Sequence, residues 1–511
     1  MDRAKALCHQ WALALSFLLL SACSQPPPEP GVLTVAMFAA PNSLDPRYGT
    51  DTLSSRAQQL MFNGLLKLDD KMAPAPDLAE RWESPDFQTY RFKLRQGVHF
   101  HDGHELTSQD VVYTFDSILD ATSNSPLRAA FRNLKSAAAI DPYAVEFVLT
   151  EPSAAFLVNL VSVKIVPSGA GRALRNHPVG TGPYQFVSYA PDDRLVLKAH
   201  PGYFEGLPRN RGVILKVVPD DIMRALELRK RTADLVINDM APDMAYQLQK
   251  EGLRLDQFPG ANYQYLGFNM RDPILQDQRV RHAIGYAIDR HAIVEYLRRG
   301  LATPAIGLVS PANWAFEPSV FDFTYDPEQA KRLLDEAGYP DPDSDGPRAR
   351  LTLSLKVSTS TEFNRLQAAV IQQNLRDVGI DLDLRTYEFA TLYADILKGN
   401  FQMYTLQWAS GAAADPDILR RVFHSRQVPP AGFNRGHLSD PLLDRLIDEA
   451  TLATSLEVRR VLYAKVQHRI AELAPYISLW YETNIAITQP DIRGVHLTPQ
   501  ADFSFLRNVS R

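Results

Sequence analysis

Cysteine is almost missing from this chain. Only Cys8 and Cys23 occur in 511 residues, too few for the disulfide framework of a small secreted scaffold. Long hydrophobic runs are missing too. The one that stands out, residues 11–20, is too short to cross a bilayer comfortably, which argues against a spanning helix. Charge of one sign is not in excess: 54 Lys and Arg against 59 Asp and Glu leave a formal net charge of −5. That balance supplies no basic field for nucleic acid. There is no long low-complexity tract and no repeat of solenoid period. Catalytic signatures are absent as well: no Gly-x-Ser-x-Gly, no His-Glu-x-x-His, and no cysteine beyond Cys23 to act as a nucleophile. Carboxylates are abundant but mean nothing without geometry. The expectation is a protein that is not an enzyme and carries no cofactor.

What is present begins with bulk. Hydrophobic residues make up 45% and charged residues 22%, as in ordinary globular proteins. The length exceeds what one hydrophobic core supports, so two or three lobes are expected. At the amino terminus, Arg3 and Lys5 precede the apolar run, the pattern of an export signal. The run ends in Leu20-Ser21-Ala22-Cys23, which resembles a bacterial lipobox. That resemblance implies a signal peptide over residues 1–22 and lipidation of Cys23, with Cys8 discarded. Acyl chains contribute about 0.8 kcal/mol per buried methylene, enough in pairs to make attachment permanent. Residues 23–30 then form a lipid anchor and a Pro-rich, semi-extended stalk. The expected location is the cell envelope, periplasmic or extracytoplasmic, tethered to a membrane.

Strand and helix signals alternate after the stalk. The segment 31–36 reads as a first strand, and 90–95 alternates apolar and polar with period two. Thr107 and Asp110 have capping-box spacing ahead of the stripe Val111, Phe115 and Ile118. Asp277 can cap a helix running through Arg299. Asp326-Pro327 opens another that Gly338 closes. A helix over 363–378 stops at Gly379, and 380–384 alternates as a strand. This order argues for mixed sheets flanked by helices.

Seven segments carry a resemblance. They are Pro41-Asn-Ser-Leu-Asp-Pro46 with Met61-Phe-Asn-Gly-Leu-Leu66; Pro76-Asp-Leu-Ala-Glu-Arg-Trp82; the run from Tyr90 to Gly103, continuing to Tyr113; Pro178-Val-Gly-Thr-Gly-Pro-Tyr184; Val280-Arg-His-Ala-Ile284 with Ala287-Ile-Asp-Arg290; Tyr325-Asp-Pro-Glu-Gln-Ala330; and Glu336-Ala-Gly-Tyr-Pro340. In this order they resemble the family 5 extracellular solute-binding proteins of peptide and nickel ABC importers. The resemblance implies an α/β fold: a two-lobed periplasmic-binding-protein type II clamp with an additional small α/β domain. Carried over, lobe I takes residues 31–68, 184–268 and 484–511, the additional domain 69–183, and lobe II 269–483. The crossings fall near Gly267-Phe268-Asn269 and near Leu479-Trp480. The implied function is capture of a peptide or similar small solute between the lobes and delivery to ABC permease subunits. The implied protein is a monomer without nucleic-acid partners. A sensor or adaptor using the same clamp without transport is the alternative.

The segment from Gln407 to Asp417 resembles the family's pocket-lining loop. It makes Trp408 the first candidate for ligand contact, through its apolar face and indole N–H. Asp415, Asp417, Asn434, Arg435, Tyr48 and Tyr263 are further candidates. Peptide-binding relatives place an aspartate three residues after this tryptophan, where it meets the peptide ammonium. Here the position is Gly411, and a buried ammonium without a carboxylate is costly. Asp415 or Asp417 reaches in instead, or the ligand is a blocked peptide, an opine-like sugar, an oligosaccharide or a nickel complex. No metal site is expected. His99, His101 and His104 read as a surface turn, and the loop 341–346 reproduces only half of a calcium loop, with Thr352 at the twelfth position.

Overall fold

The computed structural model describes residues 30–344, 346–359, 362–409 and 414–511. Signal segment, Cys23, most of the stalk, Asp345 in the half calcium loop and Gly411 lie outside them. One eleven-stranded sheet crosses the molecule. From one edge it runs Ile380–Tyr387, Leu351–Ser358, Met403–Trp408, Arg254–Phe268, Tyr476–Thr488, Leu235–Ile237, Val32–Met37, Gly212–Val217, Arg194–Ala199 and Tyr184–Ala190; Ala302–Pro304 pairs with Tyr476–Thr488 off this path. Val32–Met37 is parallel to both its neighbours, and so is Leu351–Ser358. Both strands are buried along nearly their whole length, as parallel strands covered on two faces must be. The two longest strands, Arg254–Phe268 and Tyr476–Thr488, run antiparallel between these parallel centres and belong to both lobes.

A second sheet of four antiparallel strands, Ala79–Glu83, Thr89–Leu94, Ala144–Leu149 and Leu134–Asp141, builds the additional domain. Thr89–Leu94 alternates buried and exposed residues as its period predicts. Helix Ser108–Leu119 covers this sheet. Its capping box forms, with Thr107 N donating to Asp110 Oδ2 at 2.8 Å, and Val111, Phe115 and Ile118 are fully buried. Each such side chain contributes roughly 1.5–3 kcal/mol by leaving water. Aromatic edges set the packing: Phe115 meets Phe147 at 4.8 Å between ring centres, and Tyr90 meets Phe156 at 4.9 Å. This core takes in Leu65 and Leu66 and ends at Ile165, whereas Val166 and Leu174 pack into the first lobe.

The helix expected from Asp277 through Arg299 is a correction. It spans Gln278–Ala287 and breaks at Ile288, which is extended at φ −90° and ψ 116°. Asp289 then caps a new turn through the Ala292 N–H, followed by a π-type turn over Ile293–Leu297. The cause is Arg290. Its buried guanidinium donates to the carbonyls of Ala305, Ser478 and Phe323 and to Asp322, an anchorage that the break in the helix delivers. The two long strands that join the lobes are irregular in two places. Gly267 and Phe268 pair regularly with Tyr404 and Met403, and the register shifts fall earlier, between Pro259 and Tyr263 and between Gln264 and Tyr265. Proline offers no N–H to a ladder. At Gly260 a Cβ would lie 2.2 Å from the Glu482 carbonyl oxygen, so only glycine admits the approach.

The turn 180–183 packs closely on Met61 of the first lobe. Gly182 N donates to Met61 O at 2.9 Å, and a Cβ on Gly182 would sit 2.4 Å from the Met61 carbonyl carbon. His101 closes this junction, its Nε2 at 3.0 Å from Gly182 O and its Nδ1 accepting from Gly180 N at 3.4 Å. Its ring centre lies 5.1 Å from that of His200. Burial, with His200 adding to it, lowers the His101 pKa to about 4 against the Gly182 hydrogen bond. The folded state thus favours neutral His101, and its contribution is present above the unfolded value and lost as pH falls toward 4. Between about pH 6.5 and 4 this group is expected to remove on the order of 3 kcal/mol of stability. His101→Gln should flatten that part of the slope in urea unfolding measured across pH. An unchanged slope would show that other groups carry the acid loss.

Candidate ligand-binding site

The two lobes meet at a small apolar seam where Met72 and Ala261 touch Ala414, with Leu68 and Ala312 packed against them. Beside it lies a cavity of about 430 Å³, within the range that takes a small solute. Its wall comes from the first lobe, the additional domain and the segment carrying residues 496–508. Leu68 belongs to both cavity and seam, and Ala261 N donates to Pro499 O at 3.1 Å, so the cavity abuts the joint directly.

The polar groups of this cavity are held by local structure. Asn63, just past helix Thr52–Met61, donates from Nδ2 to Asp77 Oδ1 at 2.9 Å and to Tyr203 Oη at 3.3 Å. Gly64 N donates to Asp77 Oδ2 at 3.0 Å. Glu205 is clamped by Lys67 Nζ at 2.8 Å and Arg507 Nη1 at 2.5 Å. Burial opposes its charge, but these two cations hold its carboxyl below the usual range. His496 pairs with Asp70 at 3.2 Å. Burial raises the Asp77 pKa and lowers that of Lys164, each against the partial relief of the other's charge. None of these residues stood out in the sequence. The available signal was that Asp77 falls inside the Pro76-to-Trp82 motif.

The seven residues singled out from sequence do not line this cavity. Four of them gather where strand Arg254–Phe268 meets the second lobe. Trp408 and Tyr263 are cross-strand partners. Trp408 is only 7% exposed, meets the Phe433 ring at 5.3 Å, and its indole N–H has no partner among the described residues. Arg435 lies over the Trp408 ring at 4.9 Å and donates to the hydroxyls of Tyr265 and Tyr393 at 3.0 and 3.2 Å. Its Nε is unpartnered too, so a guanidinium sits in an aromatic box with two idle donors in contact. Tyr263 Oη bonds Ser478 Oγ at 2.7 Å. Asn434 is occupied in its own loop, bonding the carbonyls of His424 and Leu438 and the Leu438 N–H.

The remaining three stand apart. Asp415 is buried and pairs with Arg459 at 3.2 Å; burial raises its pKa and Arg459 opposes that. Asp417 binds Arg420 at 3.1 Å and receives the Thr451 hydroxyl at 3.1 Å. Both therefore anchor the start of helix Ile418–Phe423. Tyr48 is half-buried on the first lobe beneath the Arg175 guanidinium at 4.9 Å. The histidines of the 99–104 turn take separate partners: Gly97 O for His99, Gly182 O for His101 and Asp110 for His104.

Similarity to known proteins fits this geometry. The chain is 28% identical to the probable di/tripeptide-binding protein 5 of Pseudomonas aeruginosa, over 96% of this chain and 98% of that one. It is 29% identical to heme-binding protein A of Haemophilus influenzae, over 88% of this chain and 86% of that one. Among solved structures, the oligopeptide-binding protein AppA of Bacillus subtilis, in complex with a nonapeptide, superposes with a TM-score of 0.78 at 26% identity. That match covers 95% of this chain and 99% of AppA. NikA of Brucella suis shares the fold at a TM-score of 0.85 and 24% identity, covering 94% and 99%. Residues 73–429 match the model of the bacterial extracellular solute-binding proteins, family 5 middle, and the chain belongs to that family.

Proposed function

We propose that this chain is the substrate-binding component of an ABC importer. It captures a peptide or similar small solute between its lobes and delivers it to a membrane permease. The observation that carries this reading is the two-lobed architecture, with lobes joined through two long strands and meeting at the seam that the cavity abuts. A ligand held between such lobes favours the closed form that a permease can recognise. The relatives that bind di- and tripeptides, glutathione and heme support the same role. The chain acts by binding rather than by catalysis, as a monomer. Its lobes divide at residues 31–68, 184–268 and 484–511 against 269–483, with 69–183 as the additional domain. We assign ligand contact in the second lobe to Trp408 and Arg435, whose idle donors suit a polar solute. Cys23 carries a lipid that tethers the protein to its membrane.

The test is a thermal-shift screen of the soluble body with di- to octapeptides, acetylated peptides, opines, oligosaccharides and nickel–histidine. Ligand at a hundred times its dissociation constant adds about 2.7 kcal/mol of stability. A panel in which no solute raises the melting temperature would sink the importer reading.

Trp408 separates packing from recognition. Its truncation to Ala should cost roughly 3–5 kcal/mol, because the ring is core. Trp408→Phe keeps a ring and deletes the N–H, so it should weaken ligand binding while moving stability by much less. Full affinity in the Phe variant would remove Trp408 from the site.

Cys23→Ser should release the protein from the membrane fraction. Retention after a carbonate wash would refute the lipid tether.

A further inference from the structure

Within the cavity, all the cations but one are matched. Lys67 and Arg507 share Glu205, and His496 has Asp70. Lys164 differs. Its backbone forms an isolated antiparallel bridge with Gly64, which carries the side chain into the cavity wall. No hydrogen bond or ion pair joins its ammonium to another described residue. The carboxylates that it feels, Asp77 and Asp502, lie beyond ion-pair contact and are secured elsewhere. Asp77 is held by Asn63 and Gly64. Asp502 accepts from Thr498 Oγ1 at 2.6 Å and from Ser504 N at 3.0 Å. The Lys164 ammonium, the buried Asp77 and the half-buried Asp502 therefore line one cavity with no ion pair joining the lysine to either carboxylate.

Such an arrangement selects among ligands by charge. A simple anion on Lys164 would stand close to Asp77 and Asp502. A simple cation beside those carboxylates would stand close to Lys164. A group bearing both charges meets both demands at once, and desolvation makes each contact stronger than it would be in water. Burial has moved the Lys164 and Asp77 pKa values toward their neutral forms, and opposite charges from a ligand would reverse both. We propose that this cavity is the charged end of the solute site and receives a zwitterionic group, its carboxylate on Lys164 and its ammonium on the side of Asp77 and Asp502. This cavity then supplies the carboxylates that a glycine at position 411 does not. This inference rests on the importer reading and narrows it to solutes with a free amino-acid-type end.

Calorimetry on the full soluble body tests it. The probes are alanyl-alanine, trialanine and γ-glutamyl-alanine, each also as its N-acetyl and its C-amide form, the γ-glutamyl probe amidated at its glutamyl α-carboxylate. At least one unblocked probe should bind, and either block should weaken it tenfold or more. Lys164→Met should cost the unblocked probe about tenfold and add nothing to the loss already caused by the C-amide. The empty variant's melting temperature should hold or rise, since a buried charge without a close partner has been removed. A lower melting temperature with unchanged affinity would make Lys164 a structural charge and overturn the proposal. Equal binding of blocked and unblocked probes would overturn it too. So would binding only of a neutral or singly charged solute from the wider screen, which would leave the importer reading standing. Failure of every solute class would instead strike the importer reading itself.

Discussion

Everything in this molecule is referred to one ladder of main-chain hydrogen bonds, the antiparallel pairing of Arg254–Phe268 with Tyr476–Thr488. Two bodies that share a sheet cannot part without breaking it. They can turn against each other only where the ladder is irregular. Pro259 and Gly260 supply that irregularity, one by lacking a donor and the other by lacking a side chain opposite Glu482. Glu482 is itself gripped by Arg298 at 2.8 Å and Gln407 at 2.6 Å. A rotation of one lobe is therefore felt first in these groups. The cavity lies where such a rotation changes distances most usefully, beside the Met72, Ala261 and Ala414 seam.

The charge distribution follows a division of labour. Ion pairs that pin the backbone are complete: Asp415 with Arg459, Arg290 with Asp322, Arg47 with Asp45 at 2.8 Å. Asp415 with Arg459 and Arg47 with Asp45 are buried on both sides and would be costly to break one-sidedly. Unfinished interactions near the joint include Lys164 in the cavity wall and the Trp408 and Arg435 donors of the second lobe. Unpaired groups of that kind destabilise a protein that keeps them empty, and that is the expected signature of a site whose partner arrives from solution.

Much of this was legible before the structure. Period-two strands and capped helices fall where Tyr90, Thr107, Asp326 and Gly379 place them, because those signals are local: a donor needs an acceptor within one turn, and a left-handed residue needs glycine. The family's fold was legible from seven ordered motifs. What escaped was long-range. The break at Ile288 depends on carbonyls at Ala305, Phe323 and Ser478, far along the chain, and no local pattern announces them. The cavity escaped for the same reason. Its charges come from Lys67, Asp77, Lys164, Glu205, Asp502 and Arg507, each unremarkable in its own stretch of sequence. Asp415 and Asn434 illustrate the converse. As polar residues in a motif they look available for a ligand, yet their atoms are spent on Arg459 and on the loop's own backbone.

The path of the chain also sets an order of events. The first lobe opens with Val32–Met37, but its sheet is completed only by Tyr476–Thr488 against Leu235–Ile237, and its cavity only by the segment around Asp502 and Arg507. Arg511 then ties back to Asp234. A chain made from its amino end therefore carries no finished cavity until residues near 508 have been added. Synthesis itself acts as a timer: a solute that meets the growing chain finds only an incomplete receptor, and recognition switches on when the last wall folds back.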